Sequence, residues 1–168
     1  FITAGLAPLI KKVHLVDGSS AMLEKARQNL KEFNNLEFHL ADVEHLPISD
    51  GSVDVIFANM LLHHCPTPLA ALQEMVRTLR PGGRLVITDL DAHTHTWMLK
   101  EMADLWPGFE REQIRTWYHE CGLVNVLLDC TGESCHAQAE EQVDISIFLA
   151  SGTKRITARD SVQASYTA

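Results

Sequence analysis

The feature that most constrains this chain is alternation. Short, β-branched apolar runs that stop at a polar or acidic residue take turns with longer stretches whose apolar residues recur every three or four positions. Such a pattern marks parallel βαβ units, in which a crossover helix must follow each strand before the next can lie parallel to it. Lys12 to Asp17 reads as a strand that stops at Gly18-Ser19-Ser20, where a serine caps the following helix. In that helix Met22, Ala26, Leu30 and Phe33 form the expected buried stripe, and Asn34-Asn35 ends it. Leu36 to Leu40 predicts a second strand that leads into Asp42, and Asp50-Gly51 a turn. Val53 to Ala58 is almost continuously apolar, which predicts a central strand covered on both faces.

Thr67 and Pro68 read as N-cap and first helical residue, with Leu69, Leu72, Val76 and Leu79 facing the core until Pro81-Gly82-Gly83. Arg84 to Asp89 is the next strand. Helical patterning returns over residues 96–106 and 110–121, with Gly122 at a left-handed C-cap, and Leu123–Leu128 and Val143–Ala150 read as paired final strands. The expectation is one domain over residues 1–152 and a polar, flexible tail over 153–168. A hydrophobic fraction of 46% over 168 residues suffices for one core.

Lys plus Arg number 14 against 22 Asp plus Glu, a net charge of -8 that repels phosphate backbones. No nucleic acid is expected, and a small-molecule substrate fits better. No apolar run is long enough to span a membrane and no leader pattern opens the chain, so a cytoplasmic protein is expected. Cys65, Cys121, Cys130 and Cys135 are too scattered for a disulfide framework, and reduced thiols follow.

In an open parallel sheet, ligands bind beyond the carboxyl ends of the strands, and those ends carry Asp17, Asp42, Asn59 and Asp89. Asp17 has the chemistry to accept two hydrogen bonds from a ribose diol. Asp42 can accept from an exocyclic amine while the next backbone amide meets a ring nitrogen. Each also has a plainer reading, Asp17 as a helix cap and Asp42 as a turn residue.

The segments Val16-Asp17-Gly18-Ser19-Ser20-Ala21-Met22-Leu23, Ala41-Asp42-Val43-Glu44-His45-Leu46-Pro47, Asp54 to His64 and Leu79-Arg80-Pro81-Gly82-Gly83-Arg84-Leu85 together resemble successive motifs of the S-adenosylmethionine-dependent methyltransferases. Order and gaps match over about residues 1–150. The arrangement is most similar to the small-molecule group around the quinone-biosynthesis C-methyltransferases. The resemblance implies an α/β fold of the Rossmann-like, doubly wound kind, with a mostly parallel sheet and an antiparallel last strand. It implies S-adenosylmethionine as cofactor, with Asp17 and Gly18 at the ribose, Met22 near the adenine, and Asp42 with Val43 on the adenine edge. Asn59 would approach the methionine end, with Leu61 and His64 bordering the substrate side. The family's first strand and its Gly-x-Gly-x-Gly loop have no match here. Residues 1–10 resemble the helix that follows that loop, so a fragment is expected, weak in cofactor binding on its own. The function implied is methyl transfer to a small molecule. The competing readings are a non-catalytic sensing domain attached to an upstream regulator, and a nicotinamide-dependent dehydrogenase, against which Asp42 and Asn59 speak.

His63-His64-Cys65 and His93-x-His95 invite a metal reading, but neither has the paired spacing of a recognised zinc site, and no metal is expected. His64 and His93 are the candidates for a general base, although displacement at a sulfonium-activated carbon can proceed through orientation alone. Cys130 and Cys135 suit a thiophilic substrate if they are more than loop cysteines. Trp97, Trp106 and Phe109 are the candidates for an apolar pocket wall, with core packing as the competing reading.

Overall fold

The computed structural model describes residues 2–95, 97–138 and 142–157, with side chains described for all of these except 135–138, 142 and 143. The chain divides into two compact units, Phe1–Pro47 and Ile48–Ala168.

In the first unit a short helix α1 (Ile2–Leu6) and a 3-10 turn (Ala7–Leu9) precede β1 (Val13–Asp17), α2 (Ser20–Asn29) and β2 (Leu36–Leu40). The strands pair in parallel, His14 opposite Glu37 and Val16 opposite His39, the arrangement a crossover helix produces. Ser19 caps α2, its Oγ accepting from the Met22 N–H at 3.3 Å. Two expectations for α2 are corrected. The helix ends at Asn29, with Leu30 as C-cap, before Asn34-Asn35. Leu30 is buried and Ala26 and Phe33 are half-buried, as the stripe requires, but Met22 is 56% exposed and its neighbour Leu23 is buried in its place.

The second unit contains β3 (Val53–Asn59), a 3-10 turn (Leu62–His64), α3 (Pro68–Thr78), β4 (Leu79–Leu90), α4 (Met98–Glu101), α5 (Arg111–Glu120), β5 (Leu123–Gln138) and β6 (Gln142–Lys154). Its sheet runs β3-β4-β6-β5, with β3 and β4 parallel and β6 antiparallel to both neighbours. The core is built where β4 and β6 meet the helices, on Leu72, Met75, Leu79, Leu85, Ile87, Ile114, Tyr118 and Phe148. Tyr118 also donates from its hydroxyl to the Ala150 carbonyl at 3.3 Å.

Three expectations change here. Among the described residues β3 pairs with β4 alone, and Val55 and Phe57 stay nearly half exposed, so the strand is not covered on both faces. A continuous apolar run reports affinity for burial and does not by itself supply a covering face. Helix is confined to Met98–Glu101 within 96–106, because Ala103 takes φ 57° and the Leu105 and Trp106 amides turn back to the His63 carbonyl. The last strand also runs on to Lys154, past the boundary expected at residue 152. Residues 158–168 of the expected tail lie outside the described residues.

Candidate functional site

The candidate residues fall in both units. In the first, the ends of β1 and β2 are joined by the Ala41 N–H, which donates to the Asp17 carbonyl at 3.2 Å. Asp17 Oδ1 accepts from the Ser19 N–H at 2.8 Å, and Asp42 Oδ1 accepts from the Glu44 N–H at 3.0 Å. Each carboxylate is thus oriented by one local turn bond, which for Asp42 is its plainer role, whereas the cap of α2 is Ser19 and not Asp17. Gly18 is exposed beside them, 3.9 Å from the Ala41 oxygen by its would-be Cβ, and Val43 is half-buried. Met22, exposed on the first turn of α2, offers an apolar face near the end of β1.

In the second unit the end of β3 is shaped by Met60, whose φ of 51° places a non-glycine residue in the left-handed region. That turn sends the Leu61 and Leu62 N–H groups onto Asp89 Oδ2, at 3.2 and 2.7 Å. Asp89 Oδ1 accepts from the Leu90 N–H at 2.8 Å and from His63 Nδ1 at 2.6 Å. Asp89 is fully buried, and four donors to one carboxylate leave it completely satisfied. Since an ionised carboxylate only accepts, His63 must carry its proton on Nδ1. Asn59 stands exposed at the end of β3, its Oδ1 accepting from Thr88 Oγ1 at 2.6 Å.

His64 is 44% exposed, with Nδ1 3.3 Å from the Ala103 carbonyl. His93 is half-buried. Burial, helped by the neighbouring His95, pushes its pKa below the usual imidazole value and favours the neutral ring. Of the two general-base candidates, His64 is therefore the accessible one and His93 the one kept uncharged.

The methyltransferase-domain family model matches residues 1–87, more than half of the chain. The chain belongs to the methyltransferase-domain family. The arsenite methyltransferase of Halobacterium salinarum is 38% identical over 77 residues, 45% of this chain and 20% of that protein. For the first three curated relatives the matched stretch covers 22%, 20% and 35% of their own length, well under two thirds. Among solved structures, a putative methyltransferase of Bacillus halodurans superposes with a TM-score of 0.78 at 15% identity, covering 92% of this chain and 88% of that one. The N-methyltransferase NodS of Bradyrhizobium japonicum, in complex with S-adenosylhomocysteine, gives 0.67 at 20% identity over 90% and 71%. At such identities the likeness establishes the fold, Rossmann-like α/β with a mostly parallel sheet and an antiparallel strand.

In this family member the segment after β4 mixes core with surface. Phe109 is 1% exposed and packs edge-on to Trp117, so it is core and not pocket wall. Trp106 donates from Nε1 to the Cys65 carbonyl at 2.8 Å, and Trp97 packs on Leu90, Met98 and Ile145. Cys65, Cys121 and Cys130 are thiols, and the Cys135 side chain lies outside those described. No helix among the described residues is long and apolar enough to cross a membrane.

Sequence reasoning missed Asp104. It is 4% exposed, its Oδ1 lies 3.8 Å from His63 Nε2 and 3.7 Å from His64 Nδ1, and its Oδ2 is buried without a hydrogen-bond partner. Linear spacing carries no trace of this, because a loop held far along the chain delivers the carboxylate to the histidines.

Proposed function

We propose that the intact protein transfers the methyl group of S-adenosylmethionine to a small-molecule acceptor. The observation that carries this reading is the family match over residues 1–87, which contains every candidate cofactor residue from Asp17 to His64. On this reading Asp17 and Gly18 meet the ribose, Met22 lies against the adenine, Asp42 and the Val43 N–H read its edge, and Asn59, Leu61 and His64 border the methionine and acceptor side. The turn bonds that orient Asp17 and Asp42, and the exposure of Met22, support those roles.

The chemistry asks little of the protein beyond placement. The acceptor's electron pair forms a bond to the methyl carbon, the carbon–sulfur bond of the sulfonium breaks, S-adenosylhomocysteine leaves, and the acceptor's proton passes to solvent or to a neutral imidazole. Holding the two reactants in line supplies much of the rate. His64 is our candidate for that imidazole. The acid-rich surface, with net charge -8, favours a small acceptor over nucleic acid, and the thiols Cys65, Cys121 and Cys130 fit a reducing, cytoplasmic setting.

That β3 pairs with β4 alone among the described residues supports a further part of the reading, that a strand and a Gly-rich loop outside this sequence complete the cofactor site. Calorimetry with S-adenosylhomocysteine tests both parts. Binding by a chain extended upstream, at least tenfold tighter than by this chain and lost on Asp17→Ala, is expected. Failure of both chains to bind, each shown to be folded, would overturn the methyltransferase reading.

A further inference from the structure

The His63, His64 and Asp104 side chains converge in the second unit, their nearest ligand atoms all within 4.8 Å of one another. We propose that they form a binding site for a divalent transition-metal ion of the zinc type, with His63 Nε2, His64 Nδ1 and Asp104 Oδ1 as ligands. The inference does not rest on the methyl-transfer reading, but it shares His64 with it: with Nδ1 on the ion, that nitrogen no longer takes the acceptor's proton.

Charge makes the first case. Asp89 and Asp104 are both buried, and the single imidazole of His63 lies between them. Asp89 is satisfied by four donors, whereas Asp104 keeps an oxygen buried with no partner. A buried carboxylate that meets its two imidazole neighbours only at 3.7 and 3.8 Å and keeps Oδ2 unpartnered is costly, and a cation on its Oδ1 lowers that cost. Geometry makes the second. The 3.7 and 3.8 Å separations are too long for hydrogen bonds. Tetrahedral ligands at about 2.0 to 2.2 Å from zinc lie roughly 3.3 to 3.6 Å apart, so the two contacts to Asp104 need shifts of a few tenths of an ångström, and the two imidazole nitrogens, within 4.8 Å of one another, at most about 1.5 Å.

The third case is the orientation of His63. Its Nδ1–H is pinned to Asp89 at 2.6 Å, leaving the Nε2 lone pair directed to the Asp104 side. A carboxylate behind a histidine in this way sets the tautomer and raises the basicity of the ligating nitrogen. His64 would exchange its long contact to the Ala103 carbonyl for the ion. Because His64 is partly exposed, the fourth position opens toward solvent and would hold water or an incoming ligand atom.

A second trio, His14, Glu37 and His39, lies on one face of the β1–β2 pair. There the groups are already matched: His14 Nδ1 and His39 Nε2 are 3.0 Å apart, and Glu37 meets Lys12 Nζ at 2.9 Å. It serves as the control.

The test uses the full chain, stripped with a chelator, and zinc chloride as the probe, read by calorimetry and by metal content after gel filtration. One zinc per chain is expected. Retention by His39→Gln and a loss of affinity of at least about tenfold in Asp104→Asn and in His64→Gln would support the site. His64 is exposed, so its substitution tests the site without the core at stake. Absence of zinc from the folded chain, unchanged affinity in His64→Gln, or loss of zinc on His39→Gln alone would overturn the proposal.

Discussion

The two units hold their candidate residues in different ways. In the first, only Ala7, Leu23 and Leu30 are buried among the described residues, and Asp17 and Asp42 are each oriented by the amide two residues ahead. In the second, Asp89, His63 and Asp104 are buried, and Asp89 and His63 are held by groups distant in the chain. Local bonds cost little to build and little to lose, whereas a buried polar group binds the stability of its surroundings to its own. The lesson is that recognition residues can sit on a lightly built frame, while buried polar chemistry requires one that is heavily determined.

The sharpest way to break this contrast is at Asp89. Asp89→Ala strips partners from three backbone amides and from His63, and should cost about 4 kcal/mol in urea denaturation. A cost below about 1 kcal/mol would remove the distinction between the units. Gly108→Ala comes next. The glycine has φ 70°, and an added Cβ would lie 2.3 Å from the Asp91 oxygen, so we expect about 3 kcal/mol and a displaced loop around Asp104.

Asp91 sharpens the contrast more gently. Burial pulls its pKa up, but the paired Arg111 guanidinium and the Ser146 hydroxyl outweigh that and hold the carboxyl below its ordinary value. Asp91→Asn should cost about 1 kcal/mol at neutral pH, measured in the same denaturation assay. The group's contribution is present above the unfolded carboxyl pKa of about 4 and lost as pH falls through the folded value. His93 works in a higher window. Its folded pKa lies below 6.5, so the unfolded chain takes up the proton first and stability declines as pH drops from 6.5 toward the folded value. His93→Gln should flatten that part of a pH series of melting curves.

The smallest stability effects belong to the first unit. Ser19→Ala removes a helix cap and should cost about 1 kcal/mol or less. Met22→Ala, at an exposed site, should cost less than about 0.5 kcal/mol while weakening S-adenosylhomocysteine binding by the upstream-extended chain.

The same division decided what the sequence could reveal. Strands β1, β2 and β3, the Ser19 cap and helix α5 are written in periodicity and short-range chemistry, and they appear close to where those signals put them. The exposure of Met22 eluded the count because one step in register moves a side chain by 100° around a helix. The Asp89–His63–Asp104 group eluded it entirely. The left-handed turn at Met60 and the 103–108 loop assemble that group, and neither has a periodic signature. Helical spacing is realised only over Met98–Glu101, and beyond it the Leu105 and Trp106 amides donate to the His63 carbonyl, a partner that spacing does not reveal.

Lys154, near the last described residue, reaches back to the end of α3, where its Nζ donates to the Val76 and Leu79 carbonyls at 2.7 Å each and to the Arg77 carbonyl at 3.3 Å. A helix ends with carbonyls that no later turn can satisfy, and this ammonium group serves as the missing turn. Trimming the chain at residue 152, where the apolar pattern of the sequence stops, would cut away the clasp and leave the Arg77 carbonyl with the Gly51 N–H at 3.0 Å. Any shortened version made for crystallisation or exchange measurements should therefore keep Lys154, and the amides of Arg77 and Thr78 would be the first to report its loss.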